Sequence, residues 1–151
     1  MKIFVDADGC PVVRLTVKIA TRFGIQCSLI CDTAHFFDVD GALTITVDKG
    51  ADSADFRLAN LIGKGDIAVT QDYGLAALCL SRGAAALNQN GMEYNDSNIA
   101  SLLESRAAAK KIRRAGGRLK GPSKRTPRDD ADFERKLTQM IESMTGNDET
   151  V

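Results

Sequence analysis

Short apolar runs alternate with stretches of helical periodicity through the first two-thirds of the chain. Residues 2–5, Lys2-Ile-Phe-Val5, predict a strand that Gly9 and Pro11 force into a turn. Residues 12–23 then place Val13, Val17, Ile19, Ala20 and Phe23 at helical spacing, and Gly24 stops them. Residues 26–31, 43–47, 67–70 and 84–87 predict four further strands, and residues 52–62 and 73–82 predict helices between them. Asn95-Asp-Ser97 caps a helix that runs through Ile99, Leu102 and Leu103 into a basic stretch with a glycine-rich loop. Thr126-Pro127 opens a last helix, in which Phe133, Leu137, Met140, Ile141 and Met144 form one stripe, a core face or the surface of a homodimer. Strands alternating with helices imply right-handed crossovers and an α/β fold, a parallel sheet between two helical layers. No internal repeat is visible.

Composition keeps this within an ordinary soluble domain, since 44% of the 151 residues are hydrophobic and 26% charged. We expect one domain over residues 1–145, with 146–151 a disordered tail. No run of about 18 apolar residues and no basic-then-apolar leader is present, so neither a membrane span nor a signal peptide is expected. Cys10, Cys27, Cys31 and Cys79 form no CxxC pair, and His35 is the one histidine. That argues against zinc and for free thiols in a cytoplasmic protein.

Charge changes the reading. The formal net charge is zero, yet residues 106–128 hold ten Lys/Arg and no acid, while the segments before and after each sum to −5. An anionic partner, nucleic acid above all, exploits such segregation. The candidate contacts are Lys110, Lys111, Arg113, Arg114, Arg118, Lys120, Lys124 and Arg125, which would bind phosphate without reading sequence. The segment has no aromatic residue on which bases could stack.

Parallel strands share one C-terminal edge, where α/β folds bind ligands. Asp6 and Asp8 follow the first strand, Asp32 the second, Asp48 the third and Asp72 the fourth, while Asp52 and Asp55 open the helix after the third. Each has a structural alternative. Asp32 and Asp48 suit turns, Asp52, Asp55 and Asp72 suit helix starts, and Asp6 and Asp8 suit an Asx turn with a cap. Asp66 precedes its strand and belongs to the opposite edge. Together, Asp6, Asp8, Asp52, Asp55 and Asp72 offer hard oxygen donors for Mg²⁺ or Mn²⁺, with Asp6, Asp55 and Asp72 as candidate catalytic groups.

The blocks Asp6-Ala-Asp8-Gly-Cys-Pro11, Gly50-Ala-Asp52-Ser-Ala-Asp55, Gly65-Asp-Ile-Ala-Val-Thr-Gln-Asp72-Tyr-Gly74 and Lys120-Gly-Pro-Ser-Lys-Arg-Thr126 resemble the bacterial YaiI/YqxD family along nearly the whole chain. The resemblance implies kinship with PIN-like nucleases, which hold Mg²⁺ or Mn²⁺ on acidic residues at this edge of a parallel sheet. It implies that Asp6 stands for the aspartate after the first PIN strand and Thr70-x-Asp72 for a later motif. Asp52 or Asp55 would replace the helix acid, often glutamate in PIN domains. The expected activity is metal-dependent hydrolysis of single-stranded nucleic acid, RNA before DNA.

Two rivals stand beside it. Asp6-x-Asp8 also resembles the haloacid-dehalogenase phosphatases, although Cys10 occupies the place of their Thr or Val and Asp66 precedes a strand instead of following one. A non-catalytic nucleic-acid-binding protein would use the polycation alone. His35, after the second strand, is a candidate base or an incidental loop residue. No Walker loop and no GxGxxG is present, so no nucleotide cofactor is indicated.

Overall fold

Odd and even positions of the strands part across the sheet, and that parity builds the molecule. A computed structural model describes residues 1–32, 38–50, 53–118 and 123–146. Along these the elements are β1 (Lys2–Asp6), α1 (Val13–Arg22), β2 (Gln26–Asp32), β3 (Ala42–Val47), α2 (Ser53–Leu61), β4 (Ile67–Val69), α3 (Tyr73–Ser81), β5 (Ala85–Leu87), α4 (Asp96–Arg114) and α5 (Pro127–Thr145). Every strand pair is parallel, in the order β3-β2-β1-β4-β5. Ile3, Val5, Cys27, Leu29, Ile67, Val69 and Leu87 pack on one face against α1 and α5. Phe4, Ile30, Ala68 and Ala86 pack on the other, against α2, α3 and the start of α4. The result is the expected three-layer α/β sandwich, and burial on both faces explains why the central strands read as unbroken apolar runs.

The strand order creates a crevice. From β1 the chain runs through α1 on one face to β2, whereas from β4 it runs through α3 on the opposite face to β5. The two connections diverge between β1 and β4, and such a switch point opens a cleft at the strands' C-terminal ends.

The predicted stripe on α5 is core. Phe133, Leu137, Met140 and Ile141 are buried, and Met144 remains partly exposed beyond them. α4 carries further into the polycation than its apolar residues alone indicate, because Ala107-Ala-Ala109 and the Lys/Arg that follow favour helix. Asn95 and Asn98 close its start by reciprocal bonds of 2.8 and 2.9 Å, and Gly116 ends it with a φ of +83°. Asp66 lies at the opposite edge as expected, its carboxylate accepting the N–H groups of Lys2 (2.9 Å) and Gly63 (3.0 Å). The expectations for His35, Asp52, Lys120 and the tail at 147–151 fall outside the described residues. No helix among the described residues is long and apolar enough to cross a membrane.

Candidate active site

Register brings the first two site residues together. Val5 pairs with Val69, so the next rung sets Asp6 beside Thr70. Thr70 Oγ1 donates to Asp6 Oδ2 at 2.9 Å and accepts the Asp72 N–H at 3.0 Å. Both partners fix the orientation of one buried hydroxyl. Behind it, the buried Tyr94 hydroxyl donates to the Thr70 carbonyl at 3.1 Å. The Tyr94 ring meets that of Tyr73 edge-on, with centroids 6.2 Å apart and planes at 61°. Burial first, then the charges around it, raises the Tyr94 phenol and keeps it protonated as a donor.

Asp72 has a structural role as well as its position. Its Oδ1 accepts from the N–H groups of Gly74 (2.8 Å) and Leu75 (3.1 Å), capping α3. The same oxygen lies 3.6 Å from Arg106 Nη1. A side chain at Gly74 would stand 3.2 Å from Asp72 Oδ1 and 3.5 Å from that guanidinium, so glycine keeps the helix start open to it. Asp6, Gln71, Asp72, Tyr73 and Arg106 line one cleft of about 330 Å³.

Burial is the largest influence on the Asp6 carboxyl and raises it above its ordinary value of 3.8. The Thr70 bond opposes that rise, while the negative charges of Asp72 and Asp8 add to it. Beneath the site, Cys79 is pushed up to about 12, chiefly by burial and then by the charges of Asp6 and Asp55. Its thiol is core, not a nucleophile.

The other aspartates have separate placements. Asp8 Oδ2 accepts the Asp32 N–H at 3.0 Å and ties the β1 mouth to the end of β2. Asp55 lies in the first turn of α2 and Asp48 just after the edge strand β3, neither of them lining the Asp6–Asp72 cleft. Among the described residues, no three His, Cys, Asp or Glu side chains gather as a metal-holding group. Asp6 and Asp72 fit a sparser arrangement. Mg²⁺ is commonly held by one or two carboxylates, with water and substrate phosphate completing its shell, and a cation would relieve the repulsion at Asp6.

The polycation reaches this rim at both ends. Arg106 enters the cleft, and Arg125 binds the loop after β5 through Asn90 Oδ1 (2.6 Å) and the Gln89 carbonyl (2.8 Å). Arg125 also meets Asp130 Oδ1 at 2.7 and 2.9 Å, so it acts as a staple and not as a free phosphate contact. Lys110, Lys111, Arg113, Arg114, Arg118 and Lys124 are exposed. Sequence reading did not single out Arg106, one of ten neighbouring cations. Its distinction arises only from the packing of α4 against α3, which spacing does not encode.

A family model described as "Uncharacterized BCR, YaiI/YqxD family" matches residues 4–143. A "UPF0178 protein" of Exiguobacterium sibiricum is 50% identical over 145 residues, covering 96% of this chain and 99% of its own. Its namesake in Ruminiclostridium cellulolyticum is 48% identical over 141 residues, 93% of this chain and 92% of its own. That of Enterococcus faecalis is 42% identical over 144 residues, with 93% and 97% covered. No solved structure matches the chain.

Proposed function

The chain belongs to the YaiI/YqxD family, and from its own site we propose a metal-dependent phosphodiesterase that cleaves single-stranded nucleic acid, RNA before DNA. The observation that carries the reading is the shared cleft: Asp6, Asp72 and Arg106 meet at the switch point between β1 and β4. The PIN-like relationship that the family resemblance implies is part of this proposal.

Asp6 and Asp72 would hold Mg²⁺ or Mn²⁺, which supplies activation of water and neutralisation of phosphate charge. Thr70 keeps the Asp6 carboxylate aimed, because its hydroxyl is held from the other side by the Asp72 N–H. Arg106 draws the phosphodiester into the cleft and offsets its negative charge. The exposed cations beyond it on α4 extend that attraction along the backbone of the strand.

The alternative is a binding protein without catalysis. The Arg106–Asp72 pair favours it, because the chain's own cation already meets that carboxylate. The phosphatase reading has less support, since Asp66 is committed to Lys2 and Gly63 at the far edge. Labelled single-stranded RNA and DNA incubated with Mn²⁺, Mg²⁺ or chelator should be cut by wild type with metal only. The Asp6→Asn/Asp72→Asn double variant should cut neither. No cleavage by wild type under any of these conditions would leave the binding protein.

A further inference from the structure

A second groove lies on the rim beside the Asp6–Asp72 cleft. It measures about 440 Å³, within the range of small-molecule sites, and Gln71, Gln89, Asn90, Ser123 and Arg125 are among its lining. Gln71 lines both spaces, so the two adjoin.

The chemistry of this groove differs from that of the first. Arg125 is its cation, and the bonds to Asp130, Asn90 and Gln89 use its Nε, Nη1 and Nη2. The Asp129 carboxylate is engaged by the N–H and hydroxyl of Thr126, at 2.9 and 3.3 Å. Both bonds fall on Oδ2, so Asp129 keeps its negative charge beside the engaged Arg125, and the rest of the hydrogen-bonding lining is neutral amide and hydroxyl. Asn90 Oδ1 is taken by Arg125, which leaves the Asn90 NH₂ as a donor. Gln71 Nε2 donates to the Gly9 carbonyl at 3.0 Å, which leaves Gln71 Oε1 as an acceptor. Gln89 Oε1 is buried and has no hydrogen-bond donor among the described residues.

We propose that this groove seats the nucleoside adjoining the scissile phosphate, with the amides of Gln71, Gln89 and Asn90 meeting the edge of its base. The proposal rests on the phosphodiesterase reading for where the phosphate lies. Base edges combine N–H donors with nitrogen and oxygen acceptors, and oriented amides match both. A second phosphate is a poor occupant, because the guanidinium that would meet it is already engaged. A base reaches such a groove only when splayed from its stack, so the seat selects single strands.

The test is an NMR titration with the four ribonucleoside 5′-monophosphates and, separately, inorganic phosphate. The nucleotides should shift the amides of Gln71 and residues 88–90 and differ among themselves in Kd, while inorganic phosphate should act near Arg106 alone. Gln89→Ala should weaken the preferred nucleotide about tenfold, a loss of ~1.4 kcal/mol, with phosphate binding unchanged. Nucleotide shifts confined to the surroundings of Arg106 would overturn the seat without recourse to any variant. Equal affinity of wild type and folded Gln89→Ala would overturn it too. Nucleotide binding in the groove without strand cleavage would instead refute the phosphodiesterase reading, and cleavage indifferent to base would refute only the seat.

Discussion

Thr70 hands its hydroxyl hydrogen to Asp6 across 2.9 Å, although 64 positions separate the two in the chain. Thr70→Val keeps the shape while removing that donor and the acceptor of the Asp72 N–H. Burial makes the loss expensive, and urea unfolding should show a cost of roughly 1–3 kcal/mol. The Asp6 carboxyl should titrate still higher, because the bond that lowers it is gone. Carbon-detected NMR of Asp6 checks this, and an unmoved titration curve would contradict it.

Asp72 combines a cap with a place in the cleft, and two substitutions separate these roles. Asp72→Asn keeps an oxygen for the Gly74 and Leu75 N–H groups and should preserve stability to within a few tenths of a kcal/mol. Asp72→Ala should cost about 0.5–2 kcal/mol. Cleavage should vanish in both. Activity retained by the folded Asn variant would assign Asp72 to capping alone.

In metal-free protein, Asp6 should make stability fall with rising pH. Its folded-state carboxyl titrates above the ordinary 3.8, so the native chain binds more protons than the unfolded chain between those two values. The stabilising contribution of the protonated group is complete below that window and lost as pH rises through the native value. Asp6→Asn should flatten this part of the profile in denaturation series run with chelator. Mn²⁺ at neutral pH should raise the Tm of wild type and leave that of Asp6→Asn/Asp72→Asn where it was. Parallel profiles of wild type and Asp6→Asn would refute the assignment.

Replacing Lys110, Lys111, Arg113 and Arg114 with Ala should weaken nucleic-acid binding evenly across sequences. Each lost phosphate contact should reduce the slope of log K against log salt by about 0.7–0.9. Arg125→Ala should behave differently, lowering the melting temperature because Asn90, Gln89 and Asp130 lose their common donor. Filter binding over a salt series, beside thermal melts, distinguishes the two. A slope unchanged in the fourfold variant would turn those cations away from the nucleic acid.

Much of the architecture was legible in the chain itself. Ile67-Ala-Val reads as a strand because both of its faces are buried, and Thr126-Pro127 reads as a helix start because proline fits the first turn. Strand order was not legible, since nothing in the spacing of Asp6 and Thr70 says that β4 crosses back to lie beside β1. The aspartates showed which edge carries charge. Asp72 takes the helix-start role that its place before Tyr73 offered, whereas nothing in the spacing shows that Asp8 turns to the Asp32 N–H. Arg106 and Arg125 share a run of ten cations, in which the sequence favoured Arg125 over Arg106 as a phosphate contact. One enters the cleft and the other staples a loop, a difference that arises only in tertiary packing.

The ring pair at the cleft has an optical consequence. The chain has two tyrosines and no tryptophan. Tyr73 lines the cleft, and Tyr94 is hydrogen-bonded to Thr70 just behind it. The protein's tyrosine fluorescence therefore originates beside its candidate site, with no second emitter elsewhere to dilute it. An ion or a strand that entered the cleft should change this native emission, without a label or a reporter mutation, and Tyr73→Phe would assign the signal to one ring or the other.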